Sequence, residues 1–339
     1  MVRKLFFIFA FFIFLSHYPY ALAGPYYEGK TIRIIVGYSP GGGYDLYARA
    51  IARHMGKHIP GNPTIIVENM TGAGSLICAN YLYRVAKPDG LTIGHFNGSL
   101  FLNQVLQQPG VEFDARKFIF IGAPVKEGMV FVFTKRSGIT SMEKLMQAKR
   151  PVKMGGLGKG VNTDNNIRII KAALDLPIQL VSGYKGSADI RLAMESGELD
   201  GSSPTWISFR AASKKALEAG EMIPVLQTVP EPFDDLPHVP LAINYAKTPE
   251  AKQLIEVGIH GPSIFSRAFT LPPQTPNEQV RTLTTAFMET LKDRDFLADT
   301  QRAKLDIEPV TAKALEKSVA SLFHLEKGML EKLRDILFK

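Results

Sequence analysis

Residues 32–45 read IRIIVGYSPGGGYD, which joins an apolar run directly to a helical pattern beginning near Leu46. A short apolar run, a glycine turn and a helix are typical of one unit of an α/β protein. Because glycine lacks a Cβ atom, a ligand can approach the backbone N–H groups of residues 41–43, where the next helix presents its positive dipole end. The stretch predicts either an anion-binding loop or an unliganded turn, and its spacing alone does not choose between them.

The order of strand, glycine-bearing loop and helix recurs along the chain. Apolar runs at residues 64–67 and 92–96 continue it in the first hundred residues, and a second set of units begins near residue 152. Between the two sets, β-like runs at residues 118–121 and 130–133 indicate a crossing between lobes, and residues 260–269 indicate a return crossing. This repetition predicts two α/β lobes with binding loops at the C-terminal ends of their strands.

The first 23 residues have the pattern of an export signal. Arg3 and Lys4 precede an apolar run at residues 5–15, and Ala21-Leu22-Ala23 supplies an A-x-A site, which predicts cleavage after Ala23. The apolar run is shorter than the roughly 20 residues that span a bilayer. Cys78, the single cysteine, is far from the cleavage point, so we expect a soluble exported protein without a lipid tether.

Composition excludes several classes of protein. Arg3 and Lys4 are two of the 40 basic residues, so the mature chain has 38 against 32 acidic ones, a net charge of +6. The basic residues form no long run, which argues against nucleic-acid binding and favours attraction of small anions. A single cysteine excludes an intramolecular disulfide, and its apolar context predicts a buried residue without chemical function.

The sequence contains no recognisable catalytic set. Its seven histidines form no H-E-x-x-H motif, and neither a G-x-S-x-G elbow nor a Walker-type G-K-[ST] occurs. Residues 72–74, Gly-Ala-Gly, form only half of a dinucleotide fingerprint. We therefore expect no enzymatic activity, no cofactor and no metal, and predict a protein that binds through backbone-rich loops.

Several motifs in a fixed order resemble one family. They are VGYSPGGGYD (36–45), AR (48–49), VEN (67–69), GAG (72–74), PDG with Thr92 (88–90), GYKG (183–186), GELDG (197–201) and LPHVPL (236–241). Together they resemble the substrate-binding proteins of tripartite tricarboxylate transporters, also called Bug-type solute receptors. The resemblance covers essentially the whole mature chain.

The resemblance implies a periplasmic binding protein-like fold of type II. Two lobes, each a mainly parallel sheet flanked by helices, would close like a flytrap around a ligand in the cleft between them. We assign residues 24–124 and 250–339 to lobe 1 and residues 125–249 to lobe 2.

The resemblance also implies that one loop from each lobe grips a carboxylate through backbone N–H groups and water. In lobe 1 these residues are Ser39, Pro40, Gly41, Gly42, Gly43, Tyr44 and Asp45, and in lobe 2 they are Gly158, Lys159, Gly160, Val161, Asn162 and Thr163. Further contacts are expected from Gly74, Ser75, Asn97, Ser99, Tyr184, Gly186, Ser202 and Trp206.

Three of these side chains keep two interpretations each. Asp45 either contacts a ligand amine or hydroxyl or caps its own helix, because a carboxylate repels a bound anion. Lys159 either meets a second carboxylate or is solvated. Trp206 either walls the cleft or packs in a core.

The expected function is capture of a small carboxylate and its delivery to a membrane permease of the tripartite type, by a receptor that is a monomer. Two alternatives remain at this stage. A receptor of the same fold can present its ligand to a membrane sensor kinase, and an exported hydrolase would need a nucleophile or metal ligands that the sequence does not supply.

Overall fold

The structure is a computed structural model that describes residues 24–339. The predicted export signal and its cleavage after Ala23 lie outside the described residues. Within residues 24–339, no helix combines the length and the apolar character needed to cross a membrane.

The first sheet has the strand order β2-β1-β3-β10-β4. Its strands are β1 (Thr31–Val36), β2 (Thr64–Asn69), β3 (Thr92–His95), β4 (Ile119–Gly122) and β10 (Phe269–Leu271). Strand β1 is parallel to both β2 and β3, whereas β10 is antiparallel to its neighbours β3 and β4. Ile34, Ile35 and Val36 of β1 are at most 1% exposed, because helices cover both faces of this interior strand.

The second sheet repeats this plan with the order β7-β6-β8-β5-β9. Its strands are β5 (Val130–Thr134), β6 (Val152–Gly156), β7 (Ile178–Ser182), β8 (Gly201–Ser202) and β9 (Met222–Gln227). Here β6 occupies the place of β1, and β5 is the antiparallel strand. The two-lobed α/β fold predicted from the sequence is confirmed.

Fourteen helices accompany the sheets within the described part of the chain. They are α1 (Gly43–Met55), α2 (Leu76–Arg84), α3 (Ser99–Val105), α4 (Met142–Met146), α5 (Asn162–Leu174), α6 (Ser187–Ser196), α7 (Trp206–Ala212), α8 (Lys214–Glu218), α9 (Pro249–Ile255), α10 (Gly261–Ser263), α11 (Asn277–Thr290), α12 (Arg294–Arg302), α13 (Ala312–Leu322) and α14 (Lys327–Phe338). Helix α9 continues through a π-helical segment, Glu256–His260, into α10.

The chain passes from the first sheet to the second between β4 and β5, through residues 123–129, and returns between β9 and β10. The antiparallel strand of each sheet is therefore the one that follows a crossing. Helices α9 and α14 pack against α5 of the second lobe, and α13 packs against β4 of the first. The residue boundaries of the two lobes remain a prediction.

Candidate functional site

The glycine loop of lobe 1 ends at the N-terminus of α1. The helix begins at Gly43 after Gly42, which has no side chain to cap it. The first N–H groups of a helix have no partner within the helix, and the macrodipole places a partial positive charge there. This end of α1 is therefore suited to an anion.

Asp45 holds this loop in shape from within the same lobe. Its Oδ2 atom accepts hydrogen bonds from the Gly41 N–H at 2.9 Å and from Arg49 Nε at 2.8 Å, and its Oδ1 atom accepts one from Asn69 Nδ2 at 3.0 Å. Burial alone would raise the pKa of Asp45, but the hydrogen bonds from Arg49, Gly41 and Asn69 outweigh it, so the pKa lies below its usual value. These contacts favour a structural role for Asp45 within its own lobe, where it holds the loop before α1 rather than the first N–H groups of the helix.

The corresponding loop of lobe 2 ends at the N-terminus of α5. Asp164 Oδ1 accepts a hydrogen bond from the Gly158 N–H at 3.0 Å, and its other oxygen accepts one from the Ser182 hydroxyl. Burial raises the pKa of Asp164 above its usual value despite these bonds. The residue before α5 is Val161, whose apolar side chain cannot cap the helix, and Asn162 Oδ1 accepts a hydrogen bond from the Thr163 N–H at 3.0 Å.

A third loop, residues 72–75, has left-handed or otherwise positive φ angles throughout. They are 134° at Gly72, 47° at Ala73, 62° at Gly74 and 73° at Ser75. Such angles at Ala and Ser are strained, and strain of this kind clusters at binding sites. The Ser75 hydroxyl accepts a hydrogen bond from the Asn97 N–H at 3.0 Å, which ties this loop to the end of β3.

The loops of the two lobes touch each other. A Cβ atom on Gly74 would lie 2.6 Å from a methyl carbon of Val161, so glycine is required there by the approach of lobe 2. Asn103 Nδ2 also donates a hydrogen bond to the Gly160 carbonyl at 2.8 Å. The lobes are therefore closed on each other.

A buried ion pair lies beneath these loops, and sequence reasoning missed it. Arg267, just before β10, meets Glu127 of the other crossing, with 2.9 Å between Nη2 and Oε1 and 4% exposure of each side chain. The second oxygen of Glu127 accepts a hydrogen bond from Asn162 Nδ2 at 2.9 Å. One continuous chain of polar contacts thus connects the return crossing to the N-terminus of α5.

The guanidinium of Arg267 also lies against the start of α1. A Cβ atom on Gly43 would fall 2.9 Å from Arg267 Nη1, 2.7 Å from its Nη2 and 2.5 Å from the Ser208 hydroxyl. The guanidinium carbon is 4.3 Å from the ring centroid of Tyr44, a cation–π contact. The position of Gly43 is therefore restricted by space, since any side chain would displace the cation.

Several buried polar atoms around this point have no hydrogen-bond partner among residues 24–339. They are Arg267 Nη1, the Tyr38 hydroxyl, Asn97 Nδ2 and the Ser208 hydroxyl. The Tyr38 and Tyr44 rings lie 4.6 Å apart, and burial raises the pKa of Tyr38, so its hydroxyl stays protonated. Unpartnered buried donors are rare in folded proteins and call for an explanation. A ligand with acceptor oxygens supplies one.

A cavity of about 30 Å³ remains between the lobes beside Glu127. It is lined by Ser99, Glu127, Met129, Asn162, Asn165, Asn166, Thr228, Gly258, Ile259, Pro262, Ser263 and Ser266. This volume admits about one or two water molecules. A small organic acid therefore needs the lobes to be farther apart than they are in the closed arrangement.

Comparison with known proteins places this architecture in a family. Residues 47–333 match the tripartite tricarboxylate transporter family receptors. The chain belongs to that family. The resemblance stated from the sequence motifs is confirmed, and the receptors of this family are periplasmic solute-binding proteins.

Individual relatives agree with this assignment. The receptor is 28% identical over 270 residues to a UPF0065 protein of Bordetella pertussis, in an alignment that covers 77% of this chain and 76% of the relative. It shares its fold with R. palustris Rpa4515 with adipate, at 22% identity and a TM-score of 0.71 over 91% of this chain and 97% of that one. It also shares the fold of MatC (Rpa3494) from Rhodopseudomonas palustris with bound malate, at 17% identity and a TM-score of 0.69 over 91% and 99% of the two chains.

Lys159 of the receptor is exposed, which agrees with the solvated interpretation of this residue. Its Nζ atom donates a hydrogen bond to the Phe338 carbonyl at 2.6 Å and lies 5.7 Å from the centroid of that ring. Lys159 therefore anchors the C-terminal helix α14, because the loop turns this side chain toward the last carbonyl groups of that helix.

Other predicted contact residues of the receptor have partners within lobe 2. Trp206 is 3% exposed in the core of that lobe, and its Nε1 atom donates to Asp235. The Tyr184 hydroxyl donates to Glu198, and the Ser202 hydroxyl donates to the Gly155 carbonyl at 2.9 Å. Gly186 precedes the first turn of α6. The structure does not bring these four residues to the buried cluster around Arg267.

A larger groove of about 890 Å³ lies between α7, α8 and residues 297–307 of the receptor. Arg210, which lines this groove, is paired with two carboxylates, Asp235 at 2.7 Å and Asp306 at 2.8 Å. The unpartnered donors lie elsewhere, around Arg267. We therefore take the cleft between the glycine loops, and not this groove, as the candidate site.

Proposed function

We propose that this receptor captures a small carboxylate between its two lobes in the periplasm and delivers it to a tripartite tricarboxylate-type permease. The observation that carries the proposal is the free Nη1 atom of Arg267, which is buried at the uncapped start of α1. Glu127 pairs with Nη2 of this cation, which leaves Nη1 and the N–H groups at the positive end of α1 as donors for a further anion. A carboxylate satisfies both.

Two solved relatives of the same fold carry carboxylic acids, malate in one and adipate in the other. Both are small, flexible and acidic, and their carboxylates could accept hydrogen bonds from donors such as Arg267 Nη1. Their presence in the same fold supports the carboxylate class but leaves the ligand of this receptor to be measured.

Binding would be coupled to closure of the lobes. The contacts of Gly74 with Val161 and of Asn103 with Gly160 cross the cleft, so they break when the lobes separate to admit the ligand. A ligand that touches α1 from one side and α5 from the other would favour a liganded arrangement, with the lobes slightly farther apart than here, in proportion to its contacts with both lobes. We propose binding without turnover, by a monomer that is exported after cleavage at Ala23.

Calorimetry on the purified protein tests the carboxylate step. We expect at least one acid from a panel of mono-, di- and tricarboxylates and amino acids to bind with micromolar or tighter affinity and to raise the melting temperature. The corresponding uncharged amides serve as controls and should leave both values unchanged. If no carboxylate binds, or if amides bind equally well, the proposal fails.

Delivery to a permease needs a test in cells. Deletion of the gene should abolish uptake of the identified acid, and the wild-type gene should restore it. If uptake persists while a transcriptional response to the acid is lost, the receptor serves a sensor kinase instead.

A further inference from the structure

The pair formed by Glu127 and Arg267 has unused hydrogen-bonding capacity on both members. A carboxylate offers about four lone-pair positions, and Glu127 uses one bond from Arg267 and one from Asn162. On the cation, Nη2 is bonded to Glu127, whereas Nη1 has no partner in the described part of the chain. The pair therefore presents free acceptors and free donors side by side in the candidate site.

The lining of the cavity beside Glu127 carries negative charge only. Of the described residues that line it, Glu127 alone is charged, and the side chains around it are amides and hydroxyls of Asn162, Asn165, Asn166, Ser99, Thr228, Ser263 and Ser266. A second carboxylate placed beside Glu127 would be repelled in a buried setting where screening is weak. A hydroxyl or ammonium group placed there would instead donate a charge-assisted hydrogen bond.

From this arrangement we infer that Glu127 and Arg267 make the receptor selective for carboxylates that carry a hydroxyl or ammonium donor on the carbon next to the carboxyl group. The inference rests on the proposed function and narrows its ligand class. The ligand carboxylate accepts from Arg267 Nη1 and from the N–H groups at the start of α1. Its neighbouring donor group bonds to Glu127. The carboxylate and the donor group of such a ligand are carried by adjacent carbons, and the two protein groups that would bind them, Arg267 and Glu127, are also neighbours, with 2.9 Å between Nη2 and Oε1.

Two matched series of acids test the selectivity on the wild-type protein. Propionate, lactate and alanine differ only at the second carbon, and so do succinate, malate and aspartate. Isothermal titration should give at least about tenfold tighter binding for a substituted acid than for the unsubstituted acid of its series. Equal or tighter binding of propionate and succinate overturns the inference, and so does absence of binding by all six acids.

The variant Glu127→Gln tests the residue itself. It keeps the size of the side chain but removes its charge, so the preference for the substituted acid should fall by at least about tenfold, mostly by weaker binding of that acid. Glu68→Gln is a matched control, because Glu68 pairs with Arg33 at 2.6 Å on the surface of lobe 1. An unchanged preference in a folded Glu127→Gln protein contradicts the role of this residue.

The outcomes separate this inference from the proposed function. If another carboxylate binds while the six acids show no preference for a donor, the receptor function stands and the inference fails. If Glu127→Gln does not fold, the comparison of the six acids on the wild-type protein still decides the matter.

Discussion

The two glycine loops occupy equivalent places, yet they are held by different forces. Each follows the strand next to the edge of its sheet and leads into a helix of 13 residues, and each helix carries Asp and Arg four positions apart, Asp45 with Arg49 and Asp164 with Arg168. In lobe 1 the two side chains form an ion pair at 2.8 Å. In lobe 2, Asp164 is held by Ser182, Thr163 and the Gly158 N–H, and its pKa is raised where that of Asp45 is lowered.

The difference follows from what covers each helix. Helix α1 packs against α11 and α12 with Arg49 43% exposed, so the ion pair lies at the edge of water. Helix α5 is covered by α9 and α14, and Asp164 is fully buried. A buried carboxylate without a close cation is destabilised in its charged form. The same spacing of Asp and Arg thus gives an aspartate whose charged form is stabilised in lobe 1 and one whose charged form is destabilised in lobe 2.

The largest effect on carboxylate affinity is expected at Gly43, where the start of α1 lies against the Arg267 guanidinium. Gly43→Ala would place a methyl group within 3 Å of both Arg267 nitrogens and of Ser208, so the guanidinium must move. We expect carboxylate affinity to fall about 100-fold, measured by calorimetry, because overpacking of a filled site typically costs 1–3 kcal/mol, or about 5- to 150-fold.

Gly42→Ala is the matched control for this change. Its added methyl group would have the Ser39 carbonyl as its nearest neighbour, at 3.7 Å, and its φ of −84° is accessible to alanine. Affinity should stay within about threefold of the wild type. A similar loss in both variants would mean that the loop backbone, and not the space beside Arg267, sets the affinity.

An intermediate effect is expected from the two aspartates, with opposite dependence on pH. Asp45→Asn should lower the free energy of unfolding at pH 7 by about 1–2 kcal/mol, because it removes a half-exposed ion pair and weakens the hydrogen bond from the Gly41 N–H. The pKa of Asp45 is lowered in the folded state, so this stabilisation is present above the unfolded value of about 3.9 and is lost as the pH falls through the folded pKa. The deficit of the variant should therefore shrink in acid.

Asp164→Asn should behave in the opposite way. The folded pKa of Asp164 is raised, so the wild type gains stability as the pH falls from above that pKa toward about 3.9, a gain that asparagine does not share. Urea unfolding at pH 7, 5, 4 and about 3 measures both series, and the lowest pH is needed because the Asp45 contribution is lost only below about 3.9. Parallel trends in the two variants would contradict the contrast between the lobes.

The smallest effect on binding is expected at Lys159, whose amine bonds to the Phe338 carbonyl outside the cleft. Lys159→Ala should change carboxylate affinity by no more than about threefold, since exposed contacts of this kind contribute about 0–1 kcal/mol. The melting temperature should fall slightly as α14 loosens. A loss of affinity for dicarboxylates alone would restore Lys159 as a contact to a second carboxyl group.

Much of the fold was predictable because its signals are local. Apolar runs at residues 32–36, 64–67 and 92–96 became β1, β2 and β3, and the change of lobe occurs between the two runs that flank Pro124. The glycine loops were found for the same reason. The alternatives for Lys159 and Trp206 stayed open in the sequence because position in a loop or near a helix start does not specify which way a long side chain turns.

Sequence alone determined the α/β alternation, the family and the loops that lead into α1 and α5, since each depends on residues that are neighbours in the chain. Only the tertiary structure revealed the charged centre. Glu127 and Arg267 are 140 residues apart and stand in no motif, and they meet because both crossings run side by side beneath the cleft. Burial makes each charge of the pair costly unless it is hydrogen-bonded, because a charge removed from water must be matched by a partner or by a ligand.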